Sequence, residues 1–321
     1  MHRRHLTALG LALAMTPWVA MAQSWPTKPV KLIVPYAAGG LPDSVARIVA
    51  QKLTERMGQS VVVENKPGGN GMVAYQNLIG GINDSHSFIV SDGSMLSITP
   101  LLNKSATYVV GKDLLPVSLI ARSPLFLVTH AKTGVKTLKE FVEKAKANPG
   151  QYTYGSSGIG STHHLTMEAI KAELNLDIRH VPFRGSGQSV PALLGGQVDF
   201  LFSALPSMAG FVKNGQVSLI GTNESRRSPQ APDVPAISEV IPGLDFSVAI
   251  GALARSGTSP EAIKRLAEDI AWAVKQPDVV EKFNGVSIAG IGGGPEVYRK
   301  EIDRENQAMA KAGRQADLKA E

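Results

Sequence analysis

Three short stretches bring glycine, hydroxyl side chains and the start of a helical pattern together: Gly39-Gly40-Leu41-Pro42-Asp43, Ser156-Ser157-Gly158-Ile159-Gly160-Ser161-Thr162-His163-His164, and Gly185-Ser186-Gly187-Gln188-Ser189. The unpaired N–H groups at a helix start carry about half a positive charge, so such turns hold an anion without lysine or arginine. Glycine lets the backbone approach the guest closely. Other chemistries fit these residues less well. Gly155 to Gly160 has phosphate-loop spacing but continues Ser161-Thr162 instead of Lys-Ser/Thr. No Gly-x-Ser-x-Gly elbow is present, although Ser156 or Ser161 with His164 would be the pair to test for an exported hydrolase. His163, His164 and Glu168 share a helix start and suggest a metal, but His-Glu-x-x-His is absent and no further ligand is visible. The expectation is therefore no catalytic residue, no metal and no cofactor.

Each of these turns needs a strand before it and a helix after it. VKLIVP (30–35) is a short β-branched run, and Val45, Ile48, Val49, Leu53 and Met57 then recur at helical spacing. Asp43 stands where an N-cap is expected and Gly58 where the helix stops. Further strands are expected at 60–64, 88–91, 151–154, 178–182 and 198–202, with helices at 137–147, from Ser161 and from Gly187. A helix opens at Ser259-Pro260 with proline at its favoured first position, and another at Pro295. Alternating strands and helices predict parallel βαβ units. Two long apolar segments, 116–130 and 244–254, interrupt the alternation. They predict an α/β fold of two lobes, each a β-sheet flanked by helices, with the two segments crossing between them as a hinge. The expected division is 23–122 with 248–321 for the first lobe and 123–247 for an inserted second lobe. GIGGG (290–294) reads as a flexible joint.

Composition narrows the function classes. The 321-residue chain is 43% hydrophobic and 19% charged, enough apolar material for a packed core of about two domains. Cysteine is absent, which excludes disulfides, thiolate nucleophiles and iron–sulfur clusters. The net charge is +6, but the basic residues are scattered and aromatics are only 6%, which argues against a nucleic-acid surface. At the amino terminus, His2 to His5 is basic, LTALGLALAMTPWV (6–19) is apolar, and Ala20-Met21-Ala22 fits small-x-small cleavage. Residues 1–22 are expected to be a signal peptide and the mature protein to be periplasmic.

At these loops the sequence resembles the TctC or Bug-type substrate-binding proteins of tripartite tricarboxylate transporters. The matching stretches are PYAAGGLPDSVARIVAQKL (35–53), VVVENKPGGNG (61–71), YGSSGIGSTHHL (154–165) and HVPFRGSGQSVPALLGGQVDF (180–200), with SPQAPDVPAISEV (228–240) and GTSPEAIKRL (257–266). The resemblance implies a two-lobed periplasmic binding protein of type II-like architecture. It would act as a monomer, close on a small carboxylate and deliver it to membrane subunits, or report it to a sensor. Carried over by position, it implicates Tyr36, Ala38, Gly39, Gly40 and Asp43 on one side of the cleft. On the other side it implicates Ser156, Ser157, Gly160, Ser161 and His164. Arg184 or Arg122 would meet a distal carboxylate through the guanidinium fork. Three positions depart from the family pattern. Leu41-Pro42 replaces a third glycine and a threonine, Ile159 a frequently polar residue, and Ser203 an aspartate that would suit an ammonium group. The last departure favours a non-amino dicarboxylate or an aromatic carboxylate.

Overall fold

Val30–Val34 (β1) is an apolar run because both faces are covered, which leaves little room for polar alternation. The computed structural model describes residues 25–315 apart from 103 and 105; the expected signal peptide, 1–22, lies outside the described residues. After β1 the chain forms α1 (Leu41–Met57), β2 (Val61–Asn65), α2 (Met72–Gly80), β3 (Ser87–Asp92), a π-turn over 94–98, α3 (Thr99–Leu102) and β4 (Leu114–Ser123). The second unit runs β5 (Phe126–His130), α4 (Leu138–Ala147), β6 (Thr153–Ser156), α5 (Thr162–Leu174) and β7 (Arg179–Pro182). It continues through α6 (Ser186–Leu194), β8 (Phe200–Ser203), α7 (Ala209–Lys213) and β9 (Val217–Thr222). The chain then returns through β10 (Val248–Arg255), α8 (Pro260–Ala273), α9 (Pro277–Asn284), β11 (Ala289–Gly293) and α10 (Pro295–Gln315).

These strands make two mixed sheets flanked by helices, ordered β11-β4-β10-β3-β1-β2 and β7-β6-β8-β5-β9. β1 runs parallel to β2 and β3, and β6 parallel to β7 and β8, so each lobe has a βαβ heart. β10 returns antiparallel between β3 and β4. The core is aliphatic on both sides of the first sheet, with Leu32, Val34, Phe88 and Ile250 fully covered.

The long segment 116–130 is two strands, not one. Pro124 has no N–H to continue a ladder, and the chain there leaves the first sheet for the second. Asn223, wholly buried, holds this crossing against the return crossing. Its backbone N–H donates to the Leu125 carbonyl (3.0 Å), and its Oδ1 accepts the Leu125 N–H (2.8 Å). Its carbonyl accepts the Phe246 N–H (2.8 Å), and its Nδ2 donates to the Phe246 carbonyl (2.6 Å).

Two local expectations change. GIGGG is no flexible joint. It supplies most of edge strand β11, antiparallel to β4, and its glycines let helices press on the backbone. A Cβ at Gly292, whose φ is +63°, would lie 2.8 Å from the Ala271 backbone, and one at Gly290 would lie 3.1 Å from Val274. Asp43 is also not an N-cap: Gly40 occupies that position and Asp43 lies in the first turn.

Candidate functional site

The carboxyl ends of β1, β3, β6 and β7 open into loops that meet between the lobes, the usual place for a ligand in an open α/β sheet. The lobes touch there. Ser94 Oγ, from the first lobe, accepts the Thr162 N–H at 3.1 Å and lies 3.2 Å from Thr162 Oγ1. Ser207 Oγ, from the second, donates to the Gly39 carbonyl at 3.1 Å. Beneath these contacts lies a small cavity of ≈ 30 Å³, and the starts of α1, α5 and α6 all reach its wall through Gly40-Leu41, Ser161 and Gly185-Ser186. Among the described residues no lysine or arginine lines it. A groove of ≈ 610 Å³ adjoins it, sharing Tyr36, Ala37, Ser157 and Gly185 and edged by Arg184 and Gln188.

The first-lobe wall is built on Tyr36. Its hydroxyl donates to Asp92 Oδ1 at 2.5 Å, and burial, reinforced by that carboxylate, pushes the phenol well above its usual range. Asp92 ends β3 and lines the cavity at 6% exposure; burial raises its carboxyl. Asp43 is consumed within the loop. Its Oδ2 accepts the Gly39 N–H (2.9 Å), its Oδ1 accepts Asn65 Nδ2 (2.8 Å), and Arg47 donates to both oxygens. Burial alone would raise this carboxyl, but the donors outweigh it and leave it below the usual range. The Gly39 amide is thereby spent on Asp43. Proline at position 42 has no N–H, so the donors left at the start of α1 are those of Gly40, Leu41 and Asp43.

The second-lobe wall divides its residues in the same way. Ser161 is the true N-cap of α5: its Oγ accepts the His164 N–H (3.3 Å) and donates to the Gly158 carbonyl (2.7 Å), while the residue itself lines the cavity. His164 points away from the cavity. Its Nδ1 accepts the Gly160 N–H at 3.0 Å, and its ring stacks on His180 with centroids 4.0 Å apart, itself stacked on Tyr154. Burial lowers His164 to about 4 and His180 to about 3, so both are neutral at pH 7. Ser156 Oγ is bonded to His180 Nε2 (2.6 Å), not to His164, which separates the pair a serine hydrolase would require. Glu168 accepts hydrogen bonds from Tyr154 (2.5 Å) and Lys171 (2.6 Å).

Of the residues singled out in the sequence, Tyr36, Gly40, Ser157 and Ser161 line the cavity and Arg184 lines only the outer groove. Ala38 and Gly39 are exposed at the rim. Asp43, Ser156, Gly160 and His164 support the loops from behind. Ser203 is buried in β8 with its Oγ toward the Ala204 carbonyl; it is Ala204 that reaches the cavity, because successive strand residues face opposite sides. Arg122 lies on β4 and pairs with Glu301 on α10. Sequence reasoning missed Asp92, Ser94 and the orientation of His163. His163, not His164, lines the cavity; its Nδ1 is buried without a partner, and burial lowers the ring to about 4. The signal for Asp92 and Ser94 was their place just after a predicted strand, where the other loops were sought.

Residues 45–307 match the model of the tripartite tricarboxylate transporter family receptor. The chain belongs to this receptor family. It is 30% identical to the protein BugT of Bordetella pertussis, over 98% of each chain. An R. palustris protein solved with adipate is 27% identical, with a TM-score of 0.89 over 93% of this chain and 100% of that one. MatC from Rhodopseudomonas palustris, solved with bound malate, is 26% identical, with a TM-score of 0.82 over 90% and 99%. The family and these neighbours are periplasmic solute-binding proteins, not enzymes. In this receptor the cavity wall combines three helix starts with one carboxylate, which makes it electrically two-ended: amides at one set of loops, Asp92 at another.

Proposed function

We propose that this receptor captures a small organic carboxylate between its lobes in the periplasm, as a monomer, and delivers it to the membrane subunits of a tripartite transporter. The carrying observation is the convergence of the α1, α5 and α6 starts on a cavity without lysine or arginine. Amide groups in that arrangement hold a carboxylate and contribute more as closure removes water. The relatives solved with adipate and malate support the same class. Closure follows from the lobe-to-lobe bonds at Ser94 and Ser207, which exist only when the loops meet. In this reading the lobes divide near 122/123 and 247/248, close to the crossing at Pro124 and the return into β10.

Leu41, Pro42, Leu125 and Val248 give the cavity apolar walls suited to a carbon skeleton, such as that of a dicarboxylate or an aromatic carboxylate. The argument from Ser203 against an amino group has no hold, because Ser203 does not reach the cavity. The test is a thermal-shift and calorimetric screen of mono-, di-, tri- and aromatic carboxylates, amino acids, sugars and simple amines. A carboxylate at 100 times its dissociation constant stabilises by about 2.7 kcal/mol. Saturable binding of a sugar or amine with no response to any acid overturns the proposal.

A further inference from the structure

Among the described residues the inner cavity is lined by one carboxyl side chain, Asp92, an acid in a pocket suited to acids. The hydrogen bonds that Asp92 accepts, from Tyr36 Oη at 2.5 Å and from the Ser94 N–H at 3.0 Å, both land on Oδ1. Oδ2 receives none among the described residues. Behind it the backbone is closed off: a Cβ on Gly93 would stand 2.5 Å from Glu305 Oε2, so a second buried carboxyl group backs the loop. Across the cleft His163 presents a second unpaired polar atom, its buried Nδ1, on the same cavity wall. A carboxylate guest seated on the helix amides leaves Oδ2 stripped of water and unmatched. Burying an acceptor without a donor is costly, whereas a donor on the guest removes that cost.

We propose that Asp92 selects the ligand by accepting a hydrogen bond from a hydroxyl or amino group carried on the acid's carbon skeleton. The receptor then takes hydroxy- or amino-substituted carboxylates in preference to the bare acid. This deepens the proposed function and rests on it, since the amides still hold the carboxylate. It goes beyond the glycine loops, for Asp92 belongs to none of the three.

The experiment uses matched series that differ only in H, OH or NH3+: propanoate, lactate and alanine; succinate, malate and aspartate; phenylacetate, mandelate and phenylglycine. Each is titrated calorimetrically into the purified receptor. In the series that binds, the substituted acid is expected to bind about 10- to 100-fold more tightly than the bare acid, the range for a hydrogen bond to a charged acceptor. The amino compound leading identifies an ammonium as the donor, and the hydroxy compound leading identifies a hydroxyl. Asp92→Asn sharpens the test. Its Oδ1 keeps Tyr36 and Ser94, but an NH2 replaces Oδ2: an ammonium then meets a donor and its advantage is expected to vanish, whereas a hydroxyl, which also accepts, is expected to lose the charge-assisted part and fall to about threefold or less. A bare acid that binds as tightly as its substituted partners overturns the Asp92 proposal alone, as does an advantage that is undiminished in Asp92→Asn. If that variant does not fold, the wild-type ratios decide and Asp92→Ser replaces it. Binding of sugars or amines with no acid bound overturns the carboxylate reading and this proposal together.

Discussion

The two walls of the cleft use opposite chemistry to the same end. In the first lobe buried carboxyl groups, Asp92 and Glu305, are pushed up by burial, Glu305 to about 8. In the second a stack of Tyr154, His180 and His164 is buried and neutral, its imidazoles pushed down to about 3 and 4. Each wall spends most of its polar groups on its own loop and leaves, among the described residues, one atom unmatched toward the cavity, Asp92 Oδ2 on one side and His163 Nδ1 on the other. The lesson concerns motif residues. Asp43 and His164 look functional because they are polar and sit beside glycine, yet both are satisfied from behind. The groups left to meet a guest are those whose loops had no use for them.

Titration gives the largest expected contrast. Histidines buried neutral are charged more readily in the unfolded chain, so the unfolded state binds more protons between pH 6.5 and about 4. Stability is therefore lost as pH falls through that window, on the order of 3 kcal/mol for a shift of this size. Glu305 works the other way. Its folded form keeps a proton that the unfolded chain releases above about pH 4.5, so its contribution is lost as pH rises from there to about 8. Urea midpoints from pH 4 to 8 should form a dome, with Glu305→Gln flattening the alkaline side and leaving the acid side in place. A Glu305→Gln variant with an unaltered alkaline side would remove the contrast.

Next in size is Asn223→Ala, which strips one partner from the Leu125 N–H and one from the Phe246 carbonyl at the junction of the lobes. Two weakened buried backbone groups imply a loss of about 2–5 kcal/mol in chemical denaturation. A loss below about 1 kcal/mol would mean that the crossings hold without it. Asp43→Asn should cost about 1–2 kcal/mol, since the Gly39 amide and Arg47 lose their charged acceptor. If that variant instead keeps full stability and loses ligand affinity, Asp43 touches the guest and the division into supporting and facing residues is wrong. The smallest effect belongs to Ser94→Ala. Loss of the bond to the Thr162 amide should weaken ligand binding about fivefold through the closed state, with little change in unliganded stability.

Much of the fold was legible because its determinants are local. Ser161 and Ser259-Pro260 announce helix starts by capping chemistry alone, and both helices begin there. The β1 and β3 runs are apolar because both faces are covered. What was missed depended on distant partners. GIGGG is a strand only because β4 lies beside it and α8 and α9 press on it. Neighbouring helix positions point about 100° apart, so whether His163 or His164 faced the cleft depended on how α5 rolled onto its surroundings. Leu165 and Ala169 pack in one cluster with Met309 and Ala312 of α10, and that contact turns His164 onto His180 and His163 toward the cavity.

By itself the amino-acid order set the alternation of strands and helices, the glycine turns at their junctions and the lack of any thiol, because each is read from the residue types and from positions a few apart. The folded molecule decided which of those turns keep their amides free, which histidine looks inward and that a lone aspartate would stand in the cavity. Those outcomes hang on burial and on partners scores of residues away, such as Tyr36 for Asp92 and Ser94 for Thr162, and no local pattern encodes them.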